Sequence, residues 1–282
     1  MDDHPEITPN FIDLKTPFAV KNPRLARMIP DFVYTFLKRL IHIDIINSYI
    51  YKHREKSGLP FVKAILEEFE LTADVIPAGW EVPGKGRFII ASNHPLGGLD
   101  GLVLLDIVGA SRADVVFPVN DLLMFIPGLK PVFIPINKHG KNTENVRIIH
   151  ENFASEKTIL YFPAGLVSRK QKGGAIRDLE WKKTFITQAK KFQRDIIPVF
   201  ISGQNSNRFY NIANWRKRLG IKANLEMILL PDEMMHSRKK RIKVIFGDPI
   251  PCKSLDSSRT DMEWAEVIKQ KVYALGTDKM TR

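Results

Sequence analysis

From about residue 76 the chain alternates short apolar runs with amphipathic stretches, and this alternation constrains the fold more than any other feature. Arg87-Phe88-Ile89-Ile90-Ala91 reads as a strand, and so do Asp114–Val119, Pro131–Ile136, Thr158–Phe162, Ile196–Ile201 and Lys243–Phe246. Helical patterns lie between them. The clearest sets Trp181, Phe185, Ala189 and Phe192 on one face, and another helix is expected through Leu102 to Ile107. Strands alternating with helices imply an α/β domain whose largely parallel, mixed sheet is flanked by helices. In such sheets ligand groups gather on loops leaving the carboxyl ends of strands.

The chain before this region reads as helical, so residues 1–75 are expected to form a helical segment and residues 76–282 the main domain. Asp31 is placed to cap a helix carrying Val33, Phe36, Leu37, Leu40 and Ile41 on one face. A second helix, with Phe61, Ile65, Leu66 and Phe69, follows Pro60. Such faces serve a core more often than a membrane surface, and both readings stay open here. A chain of 282 residues can bury enough surface to fold without cross-links, and its lone cysteine, Cys252, provides none. The acidic amino terminus lacks the apolar run of a secretory signal. The most apolar stretch, Val115–Ile136, is broken by Asn120, Asp121, Lys130 and prolines, so no spanning helix is expected.

The formal charge is +12, which suits nucleic acid, anionic lipid or an acidic carrier protein. Part of the excess lies in Arg216-Lys217-Arg218 and Arg238-Lys239-Lys240-Arg241. A solvated basic surface without a partner is the plain alternative, and composition does not choose among these.

After the strand at residues 87–91 comes Ser92-Asn93-His94-Pro95-Leu96-Gly97-Gly98-Leu99-Asp100-Gly101. Histidine is the side chain best suited to take and return a proton near neutral pH. The glycines permit a tight path that can bring Asp100 back towards the imidazole, where a carboxylate would fix the tautomer and stabilise the imidazolium. A strand-end turn whose histidine merely bonds backbone is the alternative. No serine or cysteine stands beside the pair as a nucleophile, which leaves a substrate hydroxyl to be activated. A second loop, Tyr161-Phe162-Pro163-Ala164-Gly165-Leu166-Val167-Ser168-Arg169, also follows a strand. There Gly165 would allow close approach of backbone to a ligand, while Ser168 and Arg169 could donate to an anionic oxygen. Lys170, Lys172 and Arg177 add positive field.

Asn93-His94-Pro95 through Asp100 resembles the first signature block of the glycerolipid acyltransferase superfamily, typified by 1-acylglycerol-3-phosphate acyltransferases. Three later segments resemble its other blocks in order: Val132–Lys138, Tyr161–Arg169 and Ile197–Ile201. The resemblance implies that His94 is a general base, Asp100 its orienting partner, and Asn137 and Lys138 contacts to the acceptor head group. It likewise places Pro163, Gly165, Ser168 and Arg169 in substrate binding. Five residues separate His94 from Asp100, one more than the family's usual spacing. That departure resembles a bacterial branch containing lyso-ornithine-lipid acyltransferases and proteins labelled haemolysins. Ala164 stands where the family commonly has glutamate, which implies either an altered acceptor or drift.

The expected activity is therefore transfer of a fatty acyl group from a thioester to the hydroxyl of a lyso-aminolipid, with phosphatidic-acid synthesis as the runner-up. Expected partners are acyl-carrier protein or acyl-coenzyme A as donor, a lysolipid acceptor and an anionic membrane surface, with no nucleic acid and no cofactor. The chain would sit on the inner face of the cell membrane, held by charge, by its amino-terminal helices and by insertion of Leu122–Ile126. A hydrolase lacks a Gly-x-Ser-x-Gly elbow, and metal catalysis lacks a His-Glu-x-x-His pattern. A nucleic-acid-binding or membrane-lytic protein lacks its usual motifs.

Overall fold

In the computed structural model, residues 30–120, 123, 124, 126–136 and 143–278 are described. Among the described residues three helices come first: α1 (Asp31–Leu40), α2 (Ile43–Lys52) and α3 (Leu59–Glu68). In α1 the N-cap position is Pro30, and Asp31 lies in the first turn, where its charge suits the helix dipole. Tyr34 is the buried residue of this helix, whereas Phe36, on the apolar face read from the sequence, is 62% exposed. The inward face of α3 is as expected, with Phe61, Ile65, Leu66 and Phe69 all buried.

The central sheet contains β1 (Thr72–Ile76), β2 (Phe88–Ser92), β5 (Ile159–Tyr161), β8 (Asp195–Ile201) and β9 (Arg241–Phe246), in the order β1-β9-β8-β2-β5. Three of its pairings are parallel, and β8 with β9 is antiparallel. Beside β5, a Val116↔Ile159 bridge continues to β3 (Phe117–Asn120), which pairs in parallel with β4 (Phe133–Ile136). The sheet is thus mixed and mostly parallel, as the alternation of elements required.

Side chains leave each strand on alternate faces, and both faces are dry. Ile90, Ile197, Val199 and Val244 join α3 and the helix α4 (Gly98–Ser111) in one core. Ile89, Ala91 and Ile196 join α5 (Thr143–Ala154), α6 (Thr184–Phe192) and α9 (Asp261–Asp278) in the other. The boundary expected between residues 75 and 76 falls inside β1. Phe61 and Val62 share a core with Leu99 and Val103, so α3 is built into the α/β domain.

The remaining elements lie near the carboxyl ends of β2 and β8: a short hairpin of β6 (Arg169–Lys170) with β7 (Ile176–Arg177), then α7 (Asn207–Arg218) and α8 (Leu230–Met235). Among the described residues no helix is long and apolar enough to cross a membrane. Leu122 and Phe125 lie outside the described residues. Leu123, Met124 and Ile126 pack, partly buried, against the core, so they do not project as an insertion loop.

Candidate active site

The chain leaves β2 at Ser92 and is held at every residue until α4 begins. The Asn93 carboxamide donates from Nδ2 to the Ile201 carbonyl at 2.8 Å and accepts from the Ile201 N–H at 2.7 Å, extending the β2–β8 ladder. The His94 N–H donates to Asp178 Oδ1 at 3.2 Å, and its carbonyl accepts from the Ser168 N–H at 2.7 Å. Asn205 Nδ2 donates to the Pro95 carbonyl at 3.2 Å. The N–H groups of Leu96 and Gly97 donate to Asp100 Oδ2 at 2.9 and 3.0 Å. Gly97 has φ +82°, and a Cβ there would lie 3.1 Å from Leu230, so both conformation and space call for glycine.

Asp100 occupies the first turn of α4, and its carboxylate reaches back to the N–H before the helix, an N-capping arrangement that also meets the positive end of the helix dipole. The same Oδ2 lies 2.9 Å from His94 Nδ1. Asp100 is fully buried, and burial pushes its carboxyl above the usual range, opposed by the His94 ring and the N–H groups of Leu96 and Gly97. Its Oδ1 is buried without a hydrogen-bond partner among the described residues. The His94 side chain keeps 17% exposure against none for Asp100, so the imidazole can meet solvent or substrate while the carboxylate cannot. The imidazole stacks on Phe162, with centroids 4.2 Å apart and planes 16° from parallel. Phe117 braces Phe162 edge-on.

With Nδ1–H donating to Asp100, Nε2 carries the free lone pair and can accept a proton. The structure thus brings together the two residues whose side chains the sequence expected to meet, and does so within one turn of chain.

The second loop differs from expectation. Ser168 is buried and donates from Oγ to Asp178 Oδ1 at 2.5 Å, and Trp181 Nε1 donates to the other oxygen at 2.8 Å. Arg169 is buried too. Its guanidinium donates to Glu226 Oε1 at 2.7 Å and to the Val167 carbonyl, and lies 5.1 Å from the Phe209 ring centroid. Burial lowers its pKa, opposed by Glu226. Both side chains, in the loop behind His94, thus have partners within the protein. Pro163 is buried, its carbonyl accepting from the Lys182 N–H at 3.1 Å. Gly165, with φ +63°, is exposed at the turn. Asn137 and Lys138 lie outside the described residues.

A developing oxyanion needs free N–H donors, and of the glycine amides in the two loops Gly97 and Gly165 are engaged, the latter with the Phe162 carbonyl at 2.9 Å. Gly98, in the first turn of α4, keeps its N–H unbonded among the described residues. Ala164 is 4% exposed in the apolar cluster with Ile89, Trp181 and Phe185, so its methyl faces the core.

Sequence reasoning passed over Asp178, which ties His94, Ser168 and Trp181 together, and Tyr273, whose hydroxyl accepts from the Asp178 N–H at 2.6 Å. It also passed over Phe162 as the floor under the imidazole. Only Phe162 carried a local signal, since it ends an apolar strand next to the second loop.

A partly exposed histidine oriented by a buried carboxylate, on a loop leaving the carboxyl end of a sheet strand, is an arrangement able to exchange a proton with a bound substrate. The acyltransferase family profile matches residues 17–280, and the chain belongs to that family. It is similar to the lyso-glycine lipid O-acyltransferase of Bacteroides thetaiotaomicron, 43% identical over 94% of this chain and 97% of the relative. The lyso-glycine lipid O-acyltransferase of Phocaeicola vulgatus is 41% identical over 94% of this chain and 95% of its own length. In fold the chain resembles the crystal structure of the 1-acyl-sn-glycerophosphate acyltransferase PlsC from Thermotoga maritima. The TM-score is 0.50 with 18% identity, over 86% of this chain and 95% of that one.

Proposed function

We propose that this acyltransferase moves a fatty acyl group from a thioester to the hydroxyl of a lyso-glycine lipid or a close aminolipid relative. The observation that carries the reading is the His94–Asp100 pair in a chain more than two-fifths identical, over nearly its whole length, to two proteins named for that acceptor. His94 Nε2 removes the acceptor's hydroxyl proton as the oxygen attacks the thioester carbonyl. Asp100 stabilises the imidazolium, the C–S bond breaks, and the proton passes to the departing thiolate. The Gly98 N–H, at the positive end of α4, is placed to donate to the oxyanion. The donor is acyl-carrier protein or acyl-coenzyme A, and the protein works peripherally on the cytoplasmic face of the membrane.

Glycine is preferred to ornithine as the head group because both relatives carry the glycine name. The longer His–Asp loop keeps ornithine as a second acceptor to compare. The test is kcat/KM for lyso-glycine lipid, lyso-ornithine lipid and lysophosphatidic acid with each donor. Preference for an aminolipid by tenfold or more is expected, and preference for the phosphate acceptor would overturn the reading.

A further inference from the structure

The segment from α7 to α8 presents one face to the catalytic loop and the opposite one to solvent. Inward, Phe209, Tyr210 and Leu229 are buried with Val167. Leu230 and Met234 lie against the loop's glycines, within 3.1 Å and 3.3 Å of Cβ positions built at Gly97 and Gly98. Glu226, fully buried, is gripped by Arg169 and by Arg216, each at 2.7 Å. Arg169 follows Ser168, whose N–H holds the His94 carbonyl. Two residues therefore separate this segment from the backbone of the proton acceptor.

Outward, Ile212, Trp215 and Leu219 lie on one side of α7 and its C-cap, and Ile221, Leu225 and Ile228 follow in the next stretch of chain; all six are exposed. Trp215 is 68% and Leu219 63% exposed, far beyond what a core residue shows. No acidic residue occurs from Asn207 to Leu225. Lys217, Arg218 and Lys222 are exposed and make no ion pair among the described residues. In the run Arg238–Arg241, by contrast, three of the four cations have acidic neighbours: Arg238 and Lys239 face Glu70, and Arg241 faces Asp74.

From this pairing of an apolar stripe with unanswered cations, we propose that the outward face of residues 207–228 docks on an anionic lipid bilayer. Trp215 and Leu219 enter the head-group boundary while Lys217, Arg218 and Lys222 meet anionic lipid, as a basic interfacial helix does. A second copy of the chain would set these cations against their own kind. An acidic carrier would answer the charges but cover little of the stripe. Docked this way, the segment lies between lipid and the His94 loop, so the acceptor need not leave the bilayer far to be acylated. The inference rests on the proposed function for its acceptor, but the surface can be tested separately.

The test uses the full chain with phosphatidylcholine vesicles that contain phosphatidylglycerol. Lys217→Gln/Arg218→Gln/Lys222→Gln should weaken binding roughly a hundredfold at low salt. Trp215→Ser/Leu219→Ser should weaken it about tenfold or more at any salt. Both should acylate a detergent-dispersed acceptor within about twofold of wild type. Lipids brominated on their acyl chains should quench a tryptophan component that disappears in Trp215→Phe. Wild-type vesicle binding in both variants would overturn the proposal. So would loss of transfer from acyl-carrier protein alone, which would make the face a carrier-docking site. A wild-type protein that acylates dispersed acceptor without binding vesicles would sink the docking surface and leave the activity standing. Variant-sensitive vesicle binding without acylation of any lysolipid would support the surface and remove the proposed function.

Discussion

The imidazole of His94 lies almost parallel to the ring of Phe162, with their centroids 4.2 Å apart. Asp100 fixes one edge of the imidazole and Phe162 fixes its plane, so two contacts suffice to aim Nε2. Phe162→Leu keeps most of the apolar volume and loses the flat support. The expected outcome is a fall in kcat of roughly fivefold, matching the ~1 kcal/mol of an aromatic pair, with little change in KM. Steady-state kinetics beside a thermal melt would check it, and unchanged kcat would show the ring to be mere filling.

His94→Ala should lower turnover by about a thousandfold or more while leaving the fold intact, because only the proton acceptor is removed. Asp100→Asn should be nearly as severe, since an amide no longer favours the Nδ1–H tautomer. Circular dichroism with single-turnover kinetics separates lost chemistry from lost structure. A folded His94→Ala enzyme near wild-type rate would refute the mechanism.

Arg169 and Glu226 should register in stability rather than in acceptor affinity. Glu226→Ala leaves two guanidinium groups without their buried counter-charge and is expected to cost about 3–5 kcal/mol. Arg169→Lys cannot reach Glu226 and the Val167 carbonyl together and should cost about 1 kcal/mol or more. Urea titrations give these values. Acceptor KM should stay within about twofold for Arg169→Lys, and a large rise there would restore Arg169 as a substrate contact.

Restoring the family's common residue by Ala164→Glu should not switch the acceptor. The side chain would be driven among Ile89, Trp181 and Phe185, at a cost of at least about 2 kcal/mol. A lower melting temperature with an unchanged acceptor ranking is expected. Full stability with a new preference for lysophosphatidic acid would reverse the conclusion.

Asp114 offers a check on pH dependence. The Arg112 guanidinium holds its carboxyl below the usual range through paired contacts of 2.9 Å, with burial opposing. A carboxylate depressed on folding contributes stability above its unfolded pKa, and the contribution is lost as pH falls through the folded value. Asp114→Asn should therefore be less stable than wild type near neutrality, and the gap should close on acidification below the ordinary aspartate range. Denaturant midpoints across that window would test the sign.

How much of this was legible depended on distance along the chain. His94 and Asp100 could be paired from sequence because both lie in one loop that opens a helix. The sheet could be read from strands dry on both faces, but β1 was passed over as a short edge strand with a charged Asp74. The internal contacts of Ser168 and Arg169 were not legible, because a hydroxyl and a guanidinium beside a turn glycine look like ligand groups. Their true partners are Asp178, ten residues on, and Glu226, 57 residues on, and no periodicity announces either. Ile201 is separated from Asn93 by 108 positions and is equally invisible without the fold.

Each residue from Asn93 to Gly97 has at least one polar group committed to a partner within the protein. A loop so committed has met its ordering cost during folding and has little left to adjust when substrate arrives. Natural variation in what the enzyme accepts must then be written elsewhere, in segments free to change without disturbing the proton acceptor. The chemistry is the fixed typeface of this scaffold, and the surrounding loops are where its text can be reset.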